Sequence, residues 1–283
     1  MLKTLFKTKA GTKATYRSFR PPHVLTDSLR DFQRTQAGRD FRSVLGFFPQ
    51  EWSAFVMGGL LRDLLLERVH GIEAKPADID IVISGARSIH EIQNKLGNTS
   101  LSTNAFGGVK CRVRPNGILF DLWRMEDHTN IPKSSGSPTI EQLLRHNLLD
   151  IDAILWDSKS DQLHDCGCLK AITAERIDLA GREGISDKVP AAQVAHVLAV
   201  AYKTNFPLSD ELRSFVVTAS RRCDPAEIES ILERKLPHAA VPIEVFWKDI
   251  LSGGTQECPA PTRAPIPQAT RAKRNSSSLN TRH

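Results

Sequence analysis

Two aspartates, Asp78 and Asp80, stand one residue apart in the stretch 77–83, ADIDIVI. Acids alternating with Ile and Val predict a β-strand. The period of two places both carboxylates on one face and Ile79, Ile81 and Ile83 on the other. Two like charges on one strand face repel unless a cation lies between them. Their hard oxygen donors suit Mg²⁺. Upstream, Gly58-Gly59 follows a short apolar run, and Leu60 to Val69 carries Leu61, Leu64 and Leu65 at helical spacing. Strand, glycine turn and helix form an arrangement in which backbone N–H groups approach a phosphate closely. Arg62 has two readings, binding phosphate or fixing the helix, and Asp63 is placed to orient Arg62. A phosphate cradle beside a paired-carboxylate metal site is the equipment of phosphoryl or nucleotidyl transfer.

These residues need a sheet to hold them. Beyond the Asp78–Asp80 strand, 86–96 reads as a helix ending at Gly97-Asn98. Next, Val109, Cys111 and Val113 alternate with Lys110, Arg112 and Arg114, and Pro115-Asn116-Gly117 marks a hairpin. On the returning strand Leu119, Asp121 and Trp123 share a face, opposite Phe120 and Leu122. A lone acid among apolar strand neighbours requires a partner, which singles out Asp121. Gly107-Gly108 ahead of Lys110 is a second candidate approach to substrate phosphate. The chain is helical in part over 27–50, from Thr139, and from Ala191, where Ala195, Leu198, Ala199 and Tyr202 make an apolar stripe. Further helices are expected from Asp224, with Ile228, Ile231 and Leu232 on one face, and over 243–251.

The run GGLLRDLLL (58–66), a loop to Pro76, and DID (78–80) resembles the head domain of the class II tRNA nucleotidyltransferases and poly(A) polymerases. These form a branch of the polymerase-β-type nucleotidyltransferases. The resemblance extends by motif register over roughly 200 residues. It takes in Ala153 to Asp157 (AILWD), the turn His164 to Gly167, and Asn205-Phe206-Pro207-Leu208 after a neck helix. It implies an α/β (α+β) fold, a small mixed sheet with flanking helices followed by a helical neck and body. The implied activity is nucleotidyl transfer from an NTP to an RNA 3′-hydroxyl, with tRNA or another RNA end as partner. The implied metal ligands and catalytic residues are Asp78, Asp80 and Asp121, holding two Mg²⁺. Gly58, Gly59, Arg62 and Lys110 are the expected nucleotide contacts. The chain departs from the family at Asp152, where an asparagine is usual, and at Val189 to Gln193, which replaces the base-reading Glu-Asp-x-x-Arg. Gln193 is left as the polar group able to meet a base, with Lys203 and His196 as alternatives on the same helix. Transfer to a non-RNA or toxin-type acceptor, and a binding module without turnover, are the other functions this pattern accommodates.

The chain is 283 residues long, enough for one large domain or two small ones, with 40% hydrophobic and 25% charged residues. No run approaches the ~20 apolar residues of a membrane span. A net charge of +6 favours a polyanionic partner. Five cysteines, an odd number, make no disulfide framework and read as free thiols in a reducing cytoplasm. Residues 1–25 carry Lys3, Lys7, Lys9, Lys13, Arg17 and Arg20 with no acid, as either a transit peptide or an RNA-contacting arm. Residues 255–283 are rich in Pro, Ser, Thr and Arg, the composition of a disordered basic tail. The expected division is an arm and leading helix (1–49), a nucleotidyltransferase head (50–156), a helical neck and body (157–252), and the tail (253–283).

Overall fold

The computed structural model describes residues 15–73, 76–104, 107–127, 131, 138–187, 189–236, 247 and 250. The 255–283 tail, most of the 1–25 arm and nearly all of the helix expected at 243–251 lie outside those residues.

Eight strands build one sheet: β1 (Arg17–Phe19), β2 (Ser53–Met57), β3 (Asp78–Ser84), β4 (Ser100–Thr103), β5 (Val109–Cys111), β6 (Leu119–Arg124), β7 (Ile154–Asp157) and β8 (Gln162–Asp165). Their order is β1-β8-β7-β2-β3-β6-β5-β4. Among the described strands of this sheet β3 and β6 make the one parallel pair; the other pairings in it are antiparallel. The fold is thus the expected mixed α/β arrangement. The sheet is wider than the 50–156 segment, since it takes β1 from before it and β8 from after it.

Alternation along the strands separates two apolar layers. Val56, Ile79, Ile81, Ile83, Phe120 and Leu122 are buried on one face under α1 (His23–Arg34), α2 (Gln36–Gly46), α3 (Gly59–His70) and α4 (Ile89–Leu96). Ser88 caps α4 by accepting from the Glu91 N–H at 3.3 Å, so the helix starts three residues later than the sequence suggested. Phe55, Met57, Val82 and Leu155 form the second layer, covered by Leu143 and Leu144 of α5 (Ile140–Arg145). That second face is the one that carries Asp78, Asp80 and Asp121.

Helix α3 runs through the first layer. Leu60, Leu61, Leu64, Leu65 and Leu66 are all buried, so it presents apolar side chains nearly all round. The β5–β6 connection turns at Arg114–Gly117, where the Gly117 N–H donates to the Arg114 carbonyl at 2.9 Å. Pro115-Asn116 thus sits at the turn centre, displacing Asn-Gly from the tight two-residue hairpin position. Arg114 also forks onto the buried Asp40 carboxylate of α2, with Nε and Nη2 at 3.0 and 2.9 Å. This holds the Asp40 carboxyl below its ordinary range.

At the far edge, β1 lies antiparallel to β8, and Arg17 Nη2 donates to Asp165 Oδ2 at 2.9 Å. Past the sheet come α6 (Cys168–Ala174), α7 (Pro190–Thr204), α8 (Asp210–Ser220) and α9 (Pro225–Lys235). Proline at the first position opens α7, and Asn205 in the left-handed region (φ 54°) ends it, ahead of Phe206-Pro207-Leu208. Helices α8 and α9 both pack on α7. Cys111, Cys166, Cys168 and Cys223 are free thiols, the first three buried. Cys258 lies outside the described residues. No described helix is long and apolar enough to cross a membrane.

Candidate active site

Where β2 ends, the chain must reverse into α3 with no side chain in the way. Gly58 does this at φ 65°, ψ −117°, a conformation costly for any residue with a Cβ. Its own N–H is used by the Ile154 carbonyl at 3.0 Å, and its carbonyl accepts from the Arg62 N–H. The N–H groups of Gly59, Leu60 and Leu61 thus form the open first turn, with no side-chain cap and no acid in that turn. The result is an anion-ready helix end at the mouth of a cavity of about 600 Å³.

Asp78 and Asp80 line the same cavity. Asp78 is exposed and Asp80 half-buried, and among the described residues neither has a hydrogen-bond or ion-pair partner. Burial, then the charges of Asp78, Asp121 and Asp152, push the Asp80 carboxyl up to about 8. The parallel β3–β6 pairing sets Asp80 opposite Asp121, and the antiparallel β5–β6 pairing sets Lys110 opposite Asp121. Asn104 Nδ2 donates to Asp121 Oδ1 at 2.7 Å, and Lys110 Nζ lies 4.0 Å from Oδ2. Even so, burial outweighs both contacts and leaves the Asp121 carboxyl raised.

Among the described residues no three His, Cys, Asp or Glu side chains already close into a metal cage. Mg²⁺ does not require one, because it is commonly held by one or two carboxylates together with substrate phosphates and water. Unpaired carboxylates on one sheet face, with a raised carboxyl at the centre, fit that ion.

Arg62 resolves toward the second of its two readings. It is buried, Nε donating to Asp63 Oδ1 at 2.7 Å and Nη1 to Asp152 Oδ1. Asp63 therefore orients Arg62. His196 of α7 completes the group, Nε2 donating to Asp152 Oδ2 at 2.7 Å. Burial would raise the Asp152 carboxyl, but the Arg62 charge and the His196 hydrogen bond hold it well below the carboxylate range. The departure at Asp152 is thus structural: the acid joins α3 to α7 through two cationic or donor side chains.

Gln193 is not available to a base. Its Nε2 donates to the Gly184 carbonyl at 2.7 Å and its Oε1 accepts from the Ser186 N–H at 3.0 Å. The side chains of α7 that do line the cavity are His196, Ala199, Val200 and Lys203, one helical stripe. Lys203 is one of the alternatives raised by the sequence. Arg234 and Lys235, at the end of α9, also line the cavity, although nothing in local sequence marks them. They read as ordinary surface charge on an amphipathic helix until the packing of α9 against α7 is known.

No family model matches the sequence, and no curated protein matches it. Solved structures do match. The chain is 17% identical to a CCA-adding enzyme in complex with ATP, covering 84% of this chain and 54% of that one at a TM-score of 0.59. The Thermotoga maritima CCA-adding enzyme complexed with tRNA is 16% identical, with 84% and 54% covered and a TM-score of 0.60. The Bacillus stearothermophilus CCA-adding enzyme in complex with CTP is 17% identical, with 81% and 55% covered and a TM-score of 0.57. The chain spans about half the length of these proteins. Over that span it has the fold of the CCA-adding enzymes, the class II tRNA nucleotidyltransferases.

Proposed function

We propose that this chain is an Mg²⁺-dependent nucleotidyltransferase that joins a nucleotide from an NTP to the 3′-hydroxyl of an RNA, tRNA or tRNA-like. The observation that carries the reading is the pairing of unpartnered Asp78 and Asp80 with the open N-terminal turn of α3 across one cavity. The cavity's volume is that of a small-ligand site. Its walls combine carboxylates, backbone N–H donors and cations, which together match a nucleotide with its counter-ions. In the reaction the hydroxyl oxygen bonds to the α-phosphorus and pyrophosphate leaves.

Asp78, Asp80 and Asp121 are the residues that would hold two Mg²⁺. The ions supply a lowered hydroxyl pKa and neutralisation of the leaving group's charge. Gly58 and Gly59 admit the phosphates to the first-turn N–H groups of α3. Asn104 and Lys110 fix the Asp121 side chain, and Arg62 fixes α3 against the neck. Residues 50–156, with β1 and β8, would form the head, and the helices after Asp165 the neck and body.

Incubation of the full chain with Mg²⁺, each labelled NTP in turn, and total RNA tests the reading. Label on RNA 3′ ends is the expected result. Label on a protein or small molecule would move the acceptor to another class, and nucleotide binding without any label would reduce the chain to a binding module.

A further inference from the structure

The geometry points to a polyphosphate-binding arm made by Lys203 of α7 and Lys235 of α9, which takes the triphosphate of the incoming nucleotide. The inference rests on the NTP part of the proposal above and adds, to the backbone N–H groups of α3, phosphate contacts from side chains outside the proposed head. Among the described residues Lys203 has no hydrogen bond or ion pair, although it lies largely within the cavity wall. A lysine withdrawn from water without a counter-charge is costly unless a ligand brings one. Burial accordingly disfavours its charged form, only partly offset by Asp63 and by Asp78, while Arg62 and Lys235 add to the repulsion.

The cations expected to meet phosphate are otherwise engaged. Arg62 already holds two acids, Nε on Asp63 and Nη1 on Asp152, and Lys110 faces Asp121. Lys203 and Lys235 line the same cavity as the open turn of α3 and the Asp78–Asp80 pair, and among the described residues neither has an ion pair with an acid. Lys235 is near enough for its charge to act on both Asp80 and Lys203. A ligand there meets cations from the neck and body on one side and N–H donors from the head on the other. A chain of phosphates satisfies both at once. The phosphate oxyanion could also come from an RNA backbone, but the cavity's bounded volume favours the nucleotide.

Calorimetric titration of the full chain with sodium tripolyphosphate, without divalent cation, tests the arm directly. Wild type should bind, and Lys203→Gln and Lys235→Gln should each weaken binding about tenfold or more, while Lys203→Arg stays within about threefold. Lys235 is exposed, so its variant reports even where Lys203→Gln fails to fold. Affinities within twofold of wild type in the glutamine variants, or no tripolyphosphate binding by wild type, overturn the arm. So does a loss seen with a short single-stranded RNA but not with tripolyphosphate. Tripolyphosphate binding that depends on both lysines, in a chain that labels no RNA, would sink the RNA reading and keep the arm.

Discussion

Asp80 of β3 and Asp121 of β6 face each other across the parallel pair of the sheet, and among the described residues only Asp121 of the two has a hydrogen bond or ion pair. Asp78 and Asp80 keep their carboxylates unpaired beside it. Such a group is a liability in the ligand-free chain and becomes useful when cations arrive. Asp78→Ala or Asp80→Ala should therefore lose about a thousandfold in transfer rate, roughly 4 kcal/mol of transition-state stabilisation. Rates within tenfold of wild type for both would reject the metal assignment.

The same reasoning predicts an opposite effect on stability. Asp80→Asn removes a carboxyl whose ionisation burial and its neighbours oppose, so without metal the variant should melt higher. A gain of about 1 kcal/mol corresponds to a rise of roughly 2–4 °C for a domain of this size. Scanning calorimetry in EDTA measures it, and a melting point below wild type would show that Asp80 has a stabilising partner.

Asp152→Asn should do the reverse. Removing one member of the buried Arg62–Asp152–His196 group leaves the Arg62 charge short of a partner, at a cost of about 3–5 kcal/mol. The Asp152 carboxyl is depressed in the folded chain, so its contribution is fully present above its unfolded pKa of about 4. It is lost as pH falls through the folded value. Urea unfolding should thus separate wild type and variant widely at pH 7 and by about 1 kcal/mol less at pH 3, with the rest of the gap closing at more acidic pH. An equal gap at both pH values would count against the ion pair.

Gln193→Ala should leave the ranking of ATP, CTP, GTP and UTP unchanged, because both ends of the amide serve the backbone of 184–186. The expected effect is a loss of about 1 kcal/mol in stability from the missing hydrogen bonds. Competing incorporation of the four nucleotides decides this, and a changed ranking would return base reading to Gln193.

Removing residues 255–283 should weaken RNA binding mainly at low salt and spare NTP affinity. Arg263, Arg271, Lys273, Arg274 and Arg282 add positive charge, whose contribution falls as salt rises. An unchanged slope of log affinity against log salt after truncation would exclude the tail from RNA binding.

How far the site was legible follows from the range of the forces involved. That Asp78 and Asp80 share a strand face and that Gly58-Gly59 turn the chain into a helix was readable, because both are local patterns. The Asn205 turn was readable through resemblance. The role of Asp152 was not, since its meaning depends on Arg62, 90 residues away in sequence, and on His196, 44 residues away. Gln193 was misjudged for the same reason: its partners are set by how 184–186 folds back on α7. Lys235 entered the cavity only through helix packing, which leaves no mark in a single charged residue. The sheet's true width was likewise hidden, because β1 is three residues long and shows no periodicity.

The pairing of β1 with β8 also bears on how the chain is made. Arg17 and Asp165 are 148 residues apart. At ribosomal rates of about 5–20 residues per second, the first strand to emerge waits roughly 7–30 s for its neighbour. Through that interval its edge is open, and the salt bridge that will hold it has no acid to meet. The β1–β8 edge of the sheet therefore cannot close until residue 165 has been made, however much of the rest is already paired.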